Sequence, residues 1–339
     1  MDSAADIIHV VLAVYDPKGT YSRHAGIVMT SIFERTKSPV CVHILHDETL
    51  TEDNRARFRR TARVFGQEVN FIDVSEAILK MGSDVDKFAG IFSRGAFFRL
   101  LIPDIMDIAK VIYLDCDIAV NLDIAELWDT QIDDFCLAVI LDLPMIDLNR
   151  KMHDRIRTWA MRLGDAKYFN SGVLLMNLDR IRQKKYNLAE EARSFFERYH
   201  HCADCPDQDF LNSLFMGETL YADGRFNRTV EYSAIESSIL HFAGKPKPWI
   251  PHAWKPRDYF YWETLARSEW RDQLVGIILE IYEHGEEIHS HTADCWRHIA
   301  RRLKRDIFTN NSLVKLFRES FKELRIVLTE LIYRLRSRS

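Results

Sequence analysis

Two aspartates one residue apart, Asp115 and Asp117, directly follow the apolar run at residues 111–114. Four consecutive apolar residues of this kind indicate a buried strand, so both carboxylates are expected where that strand ends. Carboxylates favour Mg2+ or Mn2+, which need several oxygen ligands and can share themselves with a diphosphate. Two aspartates at this spacing also occur in ordinary solvated turns. Their position at a strand end favours a metal-binding role.

The segments around these aspartates alternate between strand-like and helix-like patterns over the first two-thirds of the chain. Apolar, β-rich runs predict strands at 7–14, 40–46, 69–74, 110–114, 137–141 and 172–177. Residues 51–65 carry charges at helical spacing behind a threonine that can cap a helix. This alternation predicts an α/β fold, a doubly wound and mainly parallel sheet with helices on both faces. Ligands bind at the carboxyl ends of the strands in such sheets, which is where Asp115 is expected.

The 339-residue chain has an ordinary globular composition, with 47% apolar residues and a net charge of −4. This length allows one large domain or two smaller ones, and the charge gives no indication of nucleic-acid binding. The cysteines are scattered without the spacing of a disulfide framework. The first residues lack the pattern of a signal peptide, and no apolar run reaches the length of a membrane span. We therefore expect a reduced, cytoplasmic protein.

The C-terminal region differs in character from the rest of the chain. Strand patterns end near residue 262, so we predict a catalytic domain at 1–262 and a C-terminal helical extension at 263–339. From Arg297 onward there are 12 Lys and Arg against 4 Asp and Glu, and leucines and phenylalanines between 313 and 335 form an apolar stripe at helical spacing. A packed helix pair explains this pattern. Peripheral contact with the inner face of an anionic membrane, or self-association, are the alternatives.

Five short segments, in the same order along the chain, resemble glycosyltransferase family 8. They are residues 114–118 with 127–129, the Phe-Asn-Ser-Gly-Val segment at 168–178, Asp-Gln-Asp at 207–212, Arg-Phe-Asn at 225–227 and the segment from His-Phe-Ala-Gly to Lys-Pro-Trp at 241–249. The similarity is to bacterial lipooligosaccharide galactosyl- and glucosyltransferases and to streptococcal-type enzymes that extend glycans on glycoproteins. It implies a GT-A fold and a retaining transferase. Such an enzyme moves galactose or glucose from a UDP-sugar to a hydroxyl of a glycan acceptor on lipid or protein.

The resemblance also implies roles for residues around the two aspartates. His241 would be the third protein ligand, with Asp115 and Asp117, of a Mn2+ or Mg2+ ion, because Mn2+ accepts imidazole alongside carboxylates. Gly244 would let the backbone approach the diphosphate, and Lys247 would place a positive charge at the leaving phosphate. Further residues implied in donor binding are Arg99, Cys116, Asn170 and Gly172.

Catalytic roles are implied for Asp207, Gln208 and Asp142. The first two lie where the family places groups beneath the anomeric carbon, and a carboxamide oxygen can stabilise an oxocarbenium-like centre there. Asp142 follows the predicted strand at 137–141 and would hydrogen-bond donor-sugar hydroxyls. The acceptor hydroxyl can attack from the face that the phosphate leaves, or a double displacement can pass through Gln208 or a nearby carboxylate. The sequence allows both routes.

The nucleotide is expected at the turn after the first strand. Ala13, Tyr15 and Asp16 are the candidates for holding uracil and ribose, and either Tyr15 or Tyr21 could stack on the base. This turn is longer than in the lipooligosaccharide enzymes, so the register of these contacts stays open.

Two other functions and one other site fit parts of the sequence. An apolar strand followed by Asp-x-Asp also opens haloacid-dehalogenase-like phosphatases, in which Asp115 would be the nucleophile. A catalytically inactive module that binds nucleotide-sugar or glycan would keep the same residues. Cys202 and Cys205, with His200 and His201 beside them, could form half of a zinc site. An ordinary loop with reduced thiols explains these four residues as well.

Overall fold

The computed structural model describes residues 7–80, 94–149, 167–199, 205–229, 237–244, 246–250 and 256–277. The predicted apolar stripe at 313–335 and the segment 200–204 lie outside these ranges. Within them, no helix is both long enough and apolar enough to cross a lipid bilayer.

A seven-stranded sheet forms the centre of the molecule. Its strands are β1 (Ile8–Val14), β2 (Val40–His46), β3 (Glu68–Asp73), β4 (Lys110–Leu114), β6 (Leu137–Leu141), β7 (Phe169–Asn177) and β8 (Thr219–Tyr221), and a separate pair is formed by β5 (Ile118–Asn121) and β9 (Ser238–His241). The order is β3-β2-β1-β4-β7-β6-β8. Only β7 among these seven runs against its neighbours, β4 and β6. The predicted strands and the mainly parallel sheet are confirmed, whereas β5, β8 and β9 were not predicted.

Helices connect the strands and cover both faces of the sheet. They are α1 (Ser22–Phe33), α2 (Glu52–Phe65), α3 (Ser75–Lys80), α4 (Gly95–Phe98), α5 (Ile102–Ile105), α6 (Ala125–Trp128), α7 (Leu143–Asn149), α8 (Leu178–Gln183), α9 (Leu188–Tyr199), α10 (Pro206–Leu214) and α11 (Pro256–Arg267). The predicted helix at 51–65 is confirmed as α2. Its Thr51 hydroxyl accepts the Asn54 N–H at 3.3 Å, and Gly66 ends it in the left-handed region at φ 63°.

Alternation along β1 divides the core into two layers. Val10 and Leu12 point to the face covered by α1, α2 and α11, where all three helices contribute buried apolar side chains. Val11 and Ala13 point to the opposite face, where they join buried phenylalanines of α4, α9 and α10. Because successive strand residues point to opposite sides, each face of the sheet is buried by its own set of helices.

Residues 268–277, which follow α11, belong to the same core. Trp270 is fully buried, packs against Phe58 of α2 with ring centroids 4.9 Å apart, and donates from Nε1 to Asn54 Oδ1 at 3.0 Å. Leu274 and Ile277 join the same layer. The predicted boundary between residues 262 and 263 falls inside α11, and the C-terminal helical extension stays a prediction beyond residue 277. Apolar side chains of residues 268–277 complete the core that the strands alone leave open.

A substitution at Gly26 of α1 tests whether Trp270 packs against this helix. A Cβ at this position would overlap the Trp270 ring, so Gly26→Ala should destabilise the fold by about 1–3 kcal/mol through overpacking. Gly276→Ala is the matched control, because a Cβ there meets nothing within 4 Å. Chemical denaturation should show the control unchanged or slightly stabilised. Equal stability of the two variants would show that Trp270 does not pack on α1.

His24 predicts a pH dependence of stability. The ring is buried, shares a 2.7 Å hydrogen bond with the Tyr261 hydroxyl and lies against Trp249. Burial first, and Arg23 next, hold the pKa of His24 well below its ordinary value. The unfolded chain therefore takes up a proton near pH 6.5 that the native state refuses, and stability should fall as pH drops below that value, by at most about 1.4 kcal/mol per pH unit for this group. Urea denaturation from pH 7 to pH 5 should show a shallower slope for His24→Gln than for wild type; identical slopes would exclude the effect.

Candidate active site

Two backbone contacts place the aspartates after β4. The Asp115 N–H donates to the Gly172 carbonyl at 2.8 Å, which continues the pairing of β4 with β7 beyond the strand. The Asp117 carbonyl accepts the Phe242 N–H at 2.9 Å, and Ile118 pairs with His241 across β5 and β9. The residue after β9 is thereby held beside the residue before β5. This pairing brings His241 to the aspartates across more than a hundred residues of sequence.

The Asp115, Asp117 and His241 side chains converge as the sequence predicts. His241 Nε2 lies 3.2 Å from Asp117 Oδ1 and 4.0 Å from Asp115 Oδ2. One ligand atom from each of the three lies within 4.8 Å of the others. Two carboxylates and one imidazole form a donor set that Mn2+ or a similar divalent ion accepts.

A hydrogen-bond chain fixes the tautomer of His241. The Asn227 amide donates from Nδ2 to Asn170 Oδ1 at 2.8 Å, so its Oδ1 is the acceptor for His241 Nδ1–H, also at 2.8 Å. In the neutral ring this leaves the Nε2 lone pair facing two carboxylates. Lone pairs facing one another are unfavourable unless a proton or a cation lies between them. The arrangement therefore fits a bound cation.

Arg99 supplies a buried positive charge at one side of this group. It donates from Nη2 to Asp115 Oδ1 at 2.8 Å and from Nη1 to the Ser171 carbonyl at 2.7 Å, and it lies 3.5 Å from Asp207. Burial alone would lower the pKa of Arg99, but Asp115 raises it, so the guanidinium stays charged. Tyr113 also donates to Asp115 Oδ1, at 2.7 Å. With Oδ1 engaged twice, Oδ2 is the Asp115 oxygen that faces His241.

Lys247 supplies the second positive charge. Its ammonium contacts Asp117 Oδ2 and donates to the Phe242 carbonyl, the latter at 2.7 Å. Burial alone would raise the pKa of Asp117, yet His241 and Lys247 hold it well below its ordinary value. Asp117 is therefore ionised at neutral pH and available as a ligand.

Gly172 is required by the closeness of these side chains. A Cβ on this residue would overlap His241 Cε1 and come within 2.7 Å of Asp115 Oδ2. Gly172, which was predicted at the site, is needed because it has no side chain, since β7 runs directly beneath the aspartates.

The opposite side of the site is a network of neutral amides and carboxylates. Asp142 Oδ2 accepts from Asn170 Nδ2 and from Gln208 Nε2, each at 3.1 Å. Gln208 Oε1 in turn accepts the Ser171 N–H at 3.0 Å. Burial raises the pKa of Asp207, while Arg99 acts in the opposite direction. The predicted sugar-side residues thus meet in one connected network.

These groups line a cavity of about 440 Å3. Its lining includes most of the predicted residues, namely Ala13, Tyr21, Arg99, Asp115, Cys116, Asp117, Asp142, Asn170, Asp207, Gln208, His241, Gly244 and Lys247. Sequence reasoning missed Ser171, Tyr113 and Asn227. Two of these lie inside the quoted segments at 168–178 and 225–227, but their contacts depend on the fold.

The predicted nucleotide-binding turn has a different arrangement at Asp16. Its carboxylate is buried and accepts the Tyr21 and Ser22 N–H groups at 2.7 and 2.9 Å, at the start of α1. The Asp16 carboxylate therefore satisfies two free N–H groups at the start of this helix and holds the Tyr21 backbone beside the cavity. Tyr15 lies outside the cavity lining, with the Arg94 guanidinium 5.8 Å from its ring. Contacts of Tyr15 and Asp16 with a nucleotide stay a prediction.

Comparison with known proteins gives relatives along most of the chain. General stress protein A of Bacillus subtilis strain 168 is 26% identical over 296 residues, which cover 78% of this chain and 95% of the relative. A lipopolysaccharide 1,2-glucosyltransferase of Escherichia coli K12 is 28% identical over 203 residues, or 54% of this chain and 57% of the relative.

The fold matches that of a solved glycosyltransferase. The galactosyltransferase LgtC, in complex with donor and acceptor sugar analogues, superposes with a TM-score of 0.65 and 24% identity, covering 78% of this chain and all of LgtC. This likeness confirms the predicted GT-A fold. The model of glycosyl transferase family 8 matches residues 13–253. The match includes all five segments whose resemblance to this family was noted in the sequence, and this chain belongs to glycosyl transferase family 8.

Proposed function

We propose that this protein transfers a hexose from a UDP-sugar to a hydroxyl of a glycan, with a Mn2+ or Mg2+ ion held by Asp115, Asp117 and His241. One observation carries the proposal: a cation-demanding cluster, with Lys247 beside it, forms one wall of a cavity whose other wall is a polar amide network. The first wall suits a diphosphate and the second suits sugar hydroxyls. Family membership favours this function over the phosphatase and the inactive module.

The charged wall acts on the leaving group. When bound, the ion would neutralise the charge that develops on the diphosphate. Lys247 adds a positive charge from the chain itself, placed by its bond to the Phe242 carbonyl. Gly244 lines the cavity in the left-handed region at φ 71°, and a Cβ there would meet nothing within 4 Å. Its role is conformational, since few other residues adopt this backbone angle readily.

The contacts of Gln208 in the polar wall favour one of the two routes by which the sugar can be transferred. Both ends of the Gln208 carboxamide are engaged, with Asp142 at Nε2 and the Ser171 N–H at Oε1. An oxygen that already accepts a hydrogen bond is a weak nucleophile and a good fixed dipole. This supports retention by attack from the face that the phosphate leaves, with Gln208 stabilising positive charge at the anomeric carbon. A phosphate oxygen would take the proton of the acceptor hydroxyl.

Relatives guide the proposal for donor and acceptor. One named relative is a glucosyltransferase of lipopolysaccharide, and the structural neighbour is a galactosyltransferase bound to sugar analogues. We infer a donor of UDP-galactose or UDP-glucose, with galactose preferred, and an acceptor glycan on lipid or protein. The proposed location is the cytoplasm, with peripheral membrane contact or self-association through the C-terminal region.

Replacing one carboxylate tests the metal-binding role. Asp117→Asn should lower UDP-hexose turnover by roughly 10²–10³-fold, because it removes a charge that holds the ion at the developing negative charge. Mn2+ titration followed by electron paramagnetic resonance should show the loss of one bound ion. Asp133→Asn is the control, an exposed aspartate that should leave both measurements unchanged.

The same assay separates the rival enzyme class. Wild-type protein should cleave UDP-galactose or UDP-glucose with Mn2+ and stop when a chelator is added. Rapid p-nitrophenyl phosphate hydrolysis that Asp115→Asn abolishes, with UDP-hexoses neither bound nor cleaved, would contradict the transferase and support the phosphatase.

Gly172→Ala tests the crowding beneath the aspartates. The added methyl must displace His241 or Asp115, so Mn2+ affinity should fall by roughly 10–100-fold, as when the support of a metal ligand is lost. Gly224→Ala is the matched control, because a Cβ there meets nothing within 4 Å. Calorimetric titration with Mn2+ gives both affinities, and circular dichroism confirms folding. Wild-type Mn2+ affinity in a folded Gly172→Ala protein would show that the metal lies elsewhere.

A further inference from the structure

Three metal-ligating side chains meet on the central sheet, away from the active site. His9 is the second residue of β1 and Cys41 the second residue of β2, so both lie at the amino ends of their strands, whereas Ala13 near the carboxyl end of β1 lines the cavity. His9 pairs with Cys41 in register, and Val11 pairs with His43. Residues paired across a parallel ladder point to the same side, as do alternate residues of one strand. The register therefore places all three side chains on one face.

The distances are close to those of a metal site. His9 Nδ1 lies 3.0 Å from His43 Nε2, and one ligand atom from each of His9, Cys41 and His43 lies within 4.8 Å of the other two. Two imidazole nitrogens bound to a tetrahedral Zn2+ at about 2.0–2.1 Å would be roughly 3.3 Å apart. A shift of a few tenths of an ångström would open the His9–His43 pair around an ion.

We propose that His9, Cys41 and His43 form a second metal site, which takes a borderline-soft divalent ion such as Zn2+. Two imidazoles and a thiolate are the ligands that this class of ion prefers, whereas the oxygen-rich active site suits the harder Mn2+ or Mg2+. The two sites therefore select different ions. This proposal does not depend on the proposed transferase activity.

Neighbouring groups complete the site. Burial first, and Glu68 of β3 next, raise the pKa of the Cys41 thiol to about 11, so the thiol loses its proton only as a metal ion binds. Glu68 pairs with Cys41 in register. The side chain is exposed, so either Glu68 or water can take the fourth position. Asn70 donates from Nδ2 to the Cys41 sulfur at 3.2 Å, a contact that stabilises a thiolate.

Binding follows a simple proton balance. In the neutral His9–His43 pair, one ring donates an N–H hydrogen bond to the other ring. When the ion enters, the donor ring changes tautomer, so that its proton moves to its other nitrogen. The Cys41 thiol releases its proton to solvent as the sulfur–metal bond forms. The bound ion would link β1 to β2 at the end of the sheet opposite the cavity, and it should stabilise the native state because the unfolded chain lacks the preformed site.

Co2+ is the probe that separates this site from the active site. Metal-free full-length protein is titrated with Co2+ and then with Zn2+. A thiolate ligand gives a sulfur-to-cobalt charge-transfer band in the near ultraviolet, which Asp115, Asp117 and His241 cannot give because none of them carries sulfur. The thiol of Cys116 beside them donates to the Ala13 carbonyl at 3.1 Å, and Cys41→Ser separates its contribution from that of Cys41. The band should grow to one equivalent, disappear when Zn2+ displaces Co2+, and persist in Asp117→Asn. No such band in the wild-type protein would overturn the proposal.

Single variants identify the ligands. Cys41→Ser should abolish the band, while Cys205→Ser, which changes a cysteine outside the cluster, should leave it unchanged. His9→Gln changes the half-exposed member and should weaken Co2+ binding by roughly 10–100-fold. Circular dichroism checks folding of each variant. A band that survives in Cys41→Ser, or wild-type Co2+ affinity in folded His9→Gln, would each overturn the assignment.

Discussion

The active site depends on matching negative charge that the fold brings out of water. Asp115, Asp117 and Asp207 are all close to one cavity, and an unmatched buried carboxylate costs several kcal/mol. Arg99 lies between Asp115 and Asp207, while His241 and Lys247 face Asp117. On the His241 side the match requires a positive charge at Nε2, carried by a ring proton or by a metal ion, since a lone pair there would face the two carboxylates. This remaining demand for positive charge is what makes the site receptive to a cation.

The strands are placed so that these charged side chains meet at one point of the sheet. β4 delivers the aspartates at its carboxyl end, and the β5–β9 pair returns His241 to them through Ile118. β7 passes beneath with Gly172 at the crossing point, where any side chain would displace a ligand. Three elements distant in sequence must therefore hold their places together. The long C-terminal contact of α11 and Trp270 with α1 and α2 supports the layer on which β5 packs.

Local patterns predicted β1 to β4, β6, β7, α2 and the aspartate pair, because these depend on periodicity and on a strand end. The short strands β5, β8 and β9 carry too few residues to show such a pattern. The resemblance to family 8 placed His241, Lys247 and Asp142, which no local rule brings together. Asp16 is predicted at the nucleotide, and the fold adds contacts that the sequence did not indicate, since its carboxylate accepts two N–H groups at the start of α1. The resemblance implied a donor-binding role for Arg99, whereas its burial and its bonds to Asp115 and the Ser171 carbonyl depend on the fold. The reversal of β7 and the continuation of the core beyond residue 262 depend on packing between distant segments.

Hydrogen-bond capacity in the polar wall limits what it can recognise. Asp142 Oδ2 already accepts two amide donors, and Oδ1 accepts the Met145 N–H at 3.1 Å. Asn170 Oδ1 accepts from Gly172 N and Asn227 Nδ2, so both of its lone pairs are used. What Asp142 itself offers a ligand is the second lone pair of Oδ1. A sugar hydroxyl that binds there must donate. Discrimination between hexoses would then follow from whether the hydroxyl in which they differ can direct its proton to Asp142.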